Sequence, residues 1–426
     1  MAIHDHEGLA EHVPPLTRQE ASVEANRCLF CYDAPCVQAC PTHIDIPLFI
    51  RKISTDNLTG SARTIYEANL LGATCARVCP VQELCEGACV LGAEHRPIMI
   101  GRLQRHAMDY AAARGLALRK SQPTGRKVAV VGSGPAGLSC AGELARRGHE
   151  VTIFERRSLP GGLSTYGIIS LREPVEASLA EVKLIESLGV KIQTTSELGS
   201  DFQMDDLRGK YDAVFLGLGL GATPAMGIPG EEHIIDGLFY IEQSKLQHHE
   251  MQIGRHVTVI GAGNTAIDCA TVARRLGAEK VTMIYRRTAR EMSAYQHEYE
   301  FVRKEGVGFL FLTQPVAIES EDGQVTGIRA VKTGPGAGLE FFIETDQVVK
   351  AIGQEKPSLA ERLGLAVERG YIQVDTHFET SIPGVFAGGD CVRAKNVAST
   401  VMAVQDGKLA AAAIHERVMK AEATRG

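Results

Sequence analysis

The chain has 426 residues, 44% of them apolar, and a formal charge of -6. That length allows about two to four domains, each with a sizeable core, and the acidic balance excludes the basic surface that nucleic-acid binding needs. No uninterrupted apolar stretch of about 18 residues occurs, and residues 1–16 have neither a basic n-region nor an apolar h-region, so no membrane association is expected and a cytoplasmic protein is, with its thiols kept reduced.

From about residue 17 to 118, apolar residues recur at three and four spacings and predict helices, broken by cysteine-bearing loops. Eight of the eleven cysteines fall here, as Cys28-x2-Cys31-x4-Cys36-x3-Cys40-Pro41 and Cys75-x3-Cys79-Pro80-x4-Cys85-x3-Cys89. Thiolates at such spacings in a chain without disulfide-scaffold character bind metal, and a run ending in Cys-Pro resembles the bacterial ferredoxin pattern more than a zinc ribbon. Counting alone divides them into two sites of four thiolates, and a zinc-bound docking module is the alternative. Cys140, Cys269 and Cys391 are scattered singly and read as small buried hydrophobes. The absence of any Cys-x-x-Cys pair beyond Cys89 argues against a dithiol reductase.

A polar stretch, residues 120–126, separates this module from two strand-helix-strand units, at 127–154 and 256–285. In the first, Gly132-Ser133-Gly134-Pro135-Ala136-Gly137 lies between strand and helix, and Glu155 ends the next strand. The glycines permit a tight turn and close approach of a pyrophosphate to the helix amino terminus, while the carboxylate suits ribose hydroxyls. In the second, Gly261-Ala262-Gly263-Asn264-Thr265-Ala266 is the matching turn for a nicotinamide cofactor. Its second strand ends in Tyr285-Arg286-Arg287, not in an acid. Guanidiniums there suit a 2′-phosphate and favour NADPH on chemistry alone, solvated strand-end arginines being the alternative. Alternating strands and helices to the end predict parallel sheets, with the second nucleotide domain inserted in the first. Expected boundaries are 1–122 for the helical module, 123–250 and 351–426 for the two parts of the first nucleotide domain, and 251–350 for the second.

The run Thr380-Ser381-Ile382-Pro383-Gly384-Val385-Phe386-Ala387-Gly388-Gly389-Asp390 resembles the flavin-binding ending of reductases with two dinucleotide domains, in which the following helix, here Asn396 to Gly407, points its amino terminus at the flavin. With Arg27-Cys28-Leu29-Phe30-Cys31, Cys40-Pro41-Thr42, Cys75-Ala76-Arg77-Val78-Cys79-Pro80, the run from Pro97 to Gln104 and the run from Thr400 to Lys408, the whole chain resembles the electron-input subunits of dihydropyrimidine dehydrogenase, of the bacterial PreT type. The related glutamate synthase small subunit shares the fold and most of the cysteines.

The resemblance implies an all-α iron-sulfur domain followed by two Rossmann-like, glutathione-reductase-type domains. It implies one [4Fe-4S] cluster on Cys28, Cys31, Cys36 and Cys89 and another on Cys40, Cys79, Cys85 and the amide oxygen of Gln104, with Cys75 outside the ligand set. It implies FAD on Gly132, Gly134, Ala136, Glu155, Leu163, Arg172, Gly389 and Asp390, and NADH at Gly261, Gly263, Asn264 and Thr265 despite Arg286 and Arg287. Around Arg172 the chain departs from the relatives' Gly-Ile-Pro and Arg-Leu-Pro, so the loop there is less constrained. No side-chain acid or base is needed for hydride transfer between nicotinamide and flavin. Nothing after Lys408 resembles a barrel, which would need at least ~200 residues. Uracil or thymine reduction is therefore expected on a PreA-type FMN and iron-sulfur partner, in a hetero-oligomer, most simply a heterotetramer. A glutamate synthase small subunit or an NADPH to ferredoxin reductase is the rival reading.

Overall fold

The computed structural model describes residues 7–393 and 399–423; Asn396, expected to begin the helix toward the flavin, lies outside them. The chain forms two compact units. One comprises residues 13–165, 176–220 and 356–426, and the other residues 1–12, 166–175 and 221–355.

The larger unit begins with the cysteine-bearing helices α1 (Arg18–Asn26), α2 (Pro35–Gln38), α3 (Ile46–Ser54), α4 (Leu58–Ala68), α5 (Gly72–Val78) and α6 (Ile100–Arg114). Their ends are written locally. Thr17 and Glu20 close a reciprocal capping box on α1, and Asp45 accepts from the Leu48 amide at 3.1 Å to start α3. Ile46, Phe49, Ile50 and Ile53 give α3 one buried face.

The unit continues through β1 (Lys127–Val131), α7 (Pro135–Arg146), β2 (Glu150–Phe154), α8 (Leu163–Tyr166), α9 (Val175–Ser187), β3 (Lys191–Gln193), α10 (Met204–Lys210) and β4 (Ala213–Leu216). After the second unit it returns with α14 (Leu359–Arg362), β13 (Val367–Glu368), β14 (Tyr371–Ile372) and β15 (Val385–Ala387) and ends in α15 (Thr400–Ala423). Its sheet has the order β15-β4-β1-β2-β3 and is parallel throughout. The helical module is not a separate bead. Phe49, Ile65 and Leu103 share one core with Val128, Ile153 and Phe215 of the sheet and Val404 and Ile414 of α15.

The second unit carries β5 (Ile235–Asp236), α11 (Gly237–Leu246), β6 (His256–Ile260), α12 (Asn264–Arg275), β7 (Lys280–Tyr285), α13 (Gln296–Lys304), β8 (Gly308–Phe311) and β12 (Gln347–Lys350), with a parallel sheet ordered β5-β12-β6-β7-β8. The inserted second nucleotide domain is thus as expected, lying in sequence between β4 and β15. One element departs from the expected alternation of strands and helices. Strands β9 (Thr313–Glu321), β10 (Gln324–Lys332) and β11 (Glu340–Glu344) form an antiparallel meander. The reason is the two-residue turn at Asp322 and Gly323, both with positive φ (51° and 78°), which folds β10 directly back on β9. Leu9, Ile169 and Leu171, distant in sequence, pack into this unit's core beside Tyr240 and Val257. Among the described residues no helix is long and apolar enough to cross a membrane.

Candidate functional site

The first fingerprint turn is built by backbone crowding. Gly132 has φ of +95°, and a Cβ there would lie 2.3 Å from the Gly217 carbonyl oxygen. Only glycine satisfies both constraints. Gly134 caps α7 with Pro135 in its first turn and with no side chain over the helix end, which leaves backbone amides and a positive dipole end for an anion. Ala136 follows in that first turn and is buried. Glu155 is buried at the end of β2 and accepts from the Ser133 amide at 2.9 Å, the Ser133 hydroxyl at 2.6 Å and the Arg157 amide at 2.8 Å. It therefore latches the turn.

Helix α15 is pressed against α7 where the cradle forms. A Cβ on Gly407 would sit 2.2 Å from the Ala136 carbonyl oxygen, and Ser139 Oγ donates to the Val404 carbonyl at 2.7 Å. Asp406, fully buried, accepts from the Gly389 amide at 3.0 Å and pairs with Arg393. Burial, reinforced by Asp406, pushes the Asp390 carboxyl up to about 6. Gly389 and Asp390 are thereby tied to the fingerprint through α15. Leu163 is 40% exposed at the start of α8. Arg172 is engaged by two carboxylates. Its guanidinium lies 2.8 Å from the Asp268 carboxylate of α12 and is ion-paired with Glu298 of α13, in the second unit. Burial opposes its charge, but the two carboxylates outweigh this and raise its pKa. Ser133, Asp406 and Arg393 carry no motif signal of their own, although Asp406 stands inside the run that carries the resemblance.

The cysteines gather in two groups. Cys28, Cys31, Cys36 and Cys89 line one cavity, walled by Ile46, Ile50, Ile98 and Ile100 among other apolar side chains. Burial pushes the Cys28 thiol up, with Cys31 and Cys89 adding to it; burial followed by Cys28 and Cys89 takes Cys36 to about 12. The second group is Cys40, Cys75, Cys79 and Cys85. The Cys79 thiol is raised first by a hydrogen bond with Cys75, then by burial and by Cys75, Cys85 and Cys40, while burial, Glu86 and Cys40 raise Cys85. Cys40 and Cys89 thus stand each with the opposite run. Gln104, buried on α6, donates from Nε2 to the Gly72 carbonyl at 2.7 Å, at the start of the helix that bears Cys75. Glu181 of α9 accepts from the Ala73 and Thr74 amides at 2.6 and 3.1 Å, holding that same helix to α9.

Thiolates spread around an apolar-walled cavity are a donor set suited to a polynuclear iron-sulfur centre. Among the described residues no three Cys, His, Asp or Glu side chains converge closely enough to hold a single metal ion.

In the second unit Gly261 repeats the arrangement of Gly132, with φ of +139° and a would-be Cβ 2.2 Å from the Ala351 carbonyl oxygen. Gly263 caps α12, Thr265 stands in its first turn, and Asn264 Oδ1 accepts from the Tyr295 amide at 3.3 Å. The Ala294 amide donates to the Ala262 carbonyl at 3.2 Å, so residues 294 and 295 close beside the turn. Arg286 and Arg287 are exposed, while their carbonyls are held by Thr333 Oγ1 at 2.6 Å and the Leu312 amide at 3.1 Å.

Two mononucleotide cradles on parallel sheets, the second inserted in the first, match a known pattern. Residues 126–407 match the family model Pyridine nucleotide-disulphide oxidoreductase. The chain belongs to that family. Residues 5–116 match Dihydropyrimidine dehydrogenase domain II, 4Fe-4S cluster, so it is an FAD- and NAD(P)H-dependent oxidoreductase with an iron-sulfur domain.

Among curated relatives, it is 36% identical over 96% of its length to 96% of the NAD-dependent dihydropyrimidine dehydrogenase subunit PreT of Escherichia coli. It is 34% identical over 93% of its length to 91% of the glutamate synthase [NADPH] small chain of the same organism. The chain spans 66% of the putative oxidoreductase AegA and 60% of the NADP(+)-dependent formate dehydrogenase subunit beta of Moorella thermoacetica, both longer proteins. The PreT-type resemblance read from the sequence stands on these matches. Thioredoxin reductase of T. acidophilum shares the fold at a TM-score of 0.58 and 23% identity, over 69% of this chain and 99% of that one.

Proposed function

We propose that this chain is the electron-input subunit of an NAD-dependent dihydropyrimidine dehydrogenase, working in the cytoplasm with a PreA-type FMN and iron-sulfur partner that reduces uracil or thymine. Two [4Fe-4S] clusters are assigned, one to Cys28, Cys31, Cys36 and Cys89, the other to Cys40, Cys79, Cys85 and Gln104. The observation that carries the reading is the single cavity lined by Cys28, Cys31, Cys36 and Cys89 inside the same compact unit, and the same core, as the flavin cradle. When bound, FAD accepts a hydride from reduced nicotinamide and passes single electrons to iron-sulfur centres.

The chain's own residues bind and orient. The amino end of α7 faces the pyrophosphate position, Glu155 holds the turn and takes ribose hydroxyls, and Gly389 and Asp390 are fixed by Asp406. Gly261, Gly263, Asn264 and Thr265 hold NADH in the second unit. Arg172 is left out of the flavin set because Asp268 and Glu298 already engage it. No proton-transferring side chain is invoked.

The exposed guanidiniums of Arg286 and Arg287, together with the glutamate synthase relatives, favour a second reading: an NADPH-dependent glutamate synthase small subunit. Anaerobic purification with whatever copurifies, followed by turnover of an artificial acceptor with each nucleotide, separates the two. A partner of pyrimidine-reductase size and preference for NADH support the first. A very large glutaminase-bearing partner and preference for NADPH defeat it.

A further inference from the structure

Thr42 and Lys408 have no role in the sites above, yet both stand in the sequence runs that carry the resemblance. Thr42 follows Cys40-Pro41 and is fully buried, with its hydroxyl oxygen 3.4 Å from Cys40 Sγ. Lys408 belongs to α15, one residue after the glycine that presses this helix against α7. From there its half-buried side chain crosses to the cysteine module, where Nζ donates to the Thr42 carbonyl at 3.2 Å and the Ala68 carbonyl at 2.9 Å. Both partners are main-chain carbonyls, and among the described residues no carboxylate pairs with the ammonium. Burial lowers the Lys408 pKa, with Glu143 and Cys40 acting to raise it and Arg146 and Arg147 to lower it.

We propose that Thr42 and Lys408 set the reduction potential of the iron-sulfur centre held by Cys40, the hydroxyl through a hydrogen bond to the ligand sulfur and the ammonium through its charge. The inference rests on the reading of Cys40 as a cluster ligand. A ligating thiolate carries no proton, so Thr42 must be the donor in the pair. Hydrogen bonds to sulfur and net charge around a cluster are the terms that tune its potential, and both of these favour the form with one more electron. The half-buried position weakens the solvent screening that would erase such a charge at the surface. Lys408 also ties this tuning to the helix that holds Asp406 against Gly389 in the flavin cradle.

The test is a redox titration of the anaerobically purified chain, with iron, sulfide and flavin quantified and cluster reduction followed by electron paramagnetic resonance. Thr42→Val and Lys408→Met are each expected to make one cluster about tenfold harder to reduce, which for one electron is about 59 mV more negative. Thr42→Ser and Lys408→Arg are expected to restore the wild-type midpoint. If Lys408→Met does not fold, Thr42→Val decides alone, since it keeps the shape and removes only the hydroxyl. Variants that retain full iron and flavin and titrate at the wild-type potential overturn the proposal. A wild-type chain with no second cluster instead overturns the assignment of Cys40, and the proposal with it.

Discussion

Glu155 receives both the amide and the hydroxyl of Ser133 on one carboxylate oxygen, at 2.9 and 2.6 Å, so the acid that ends β2 also holds the fingerprint turn after β1. Glu155→Gln keeps the shape but removes the charge that strengthens these bonds, and it turns an amide toward donors. A loss of about 1–3 kcal/mol is expected, with FAD retention reduced about tenfold or more. Flavin content after gel filtration and the thermal midpoint measure it; unchanged FAD retention would remove the latch role.

Gly407→Ala should be among the most damaging single-methyl additions in this chain. The new Cβ meets the Ala136 carbonyl oxygen at 2.2 Å, and backbone on both sides leaves no soft neighbour to move. Overpacking of this kind costs about 1–3 kcal/mol or more, and here it also parts α15 from α7. Gly209→Ala, at an exposed position of α10, meets nothing within 4 Å and should stabilise by about 0.5–1 kcal/mol. Comparable unfolding midpoints for the two variants would contradict this helix contact.

Removal of one ligand thiol should respect the grouping of the cysteines. Cys89→Ser is expected to lose the same spectroscopic centre as Cys36→Ser and to spare the one lost in Cys79→Ser. Cys269→Ser, altering a buried thiol in the second unit that donates to the Gly237 carbonyl at 3.4 Å, should keep full iron. Loss of different centres in Cys89→Ser and Cys36→Ser would break the assignment.

His149 predicts an acid limb in stability. Its Nδ1 lies 2.8 Å from Thr124 Oγ1 and its Nε2 2.8 Å from His415 Nδ1, and burial, then His415, lowers its pKa from 6.5 to about 4. Between those values the unfolded chain takes up a proton that the folded chain refuses. Stability is therefore complete above about pH 6.5 and falls as the pH drops toward 4, by on the order of 3 kcal/mol in all. Denaturant unfolding at pH 7.5 and 4.5 should show a smaller difference in His149→Gln than in the wild type, and an equal difference would refute the assignment.

Local sequence determined the parts whose physics is local. Gly132 to Gly137 and Gly261 to Ala266 were legible because a tight turn and a helix start depend on a few consecutive residues. The cysteine runs were legible because metal ligation constrains residue type and spacing. The Asp322-Gly323 turn carried a local signal too, but the expectation of alternating strands and helices passed over it, and the meander went unseen. What only tertiary structure decided are encounters between residues far apart in sequence: Cys89 beside Cys28, Arg172 between Asp268 and Glu298, Glu181 over the first turn of α5, and Lys408 against Thr42. No periodicity records such pairs, because each arises when separate helices and strands bury their apolar faces in a common core and bring along whatever polar side chains lie at the seam.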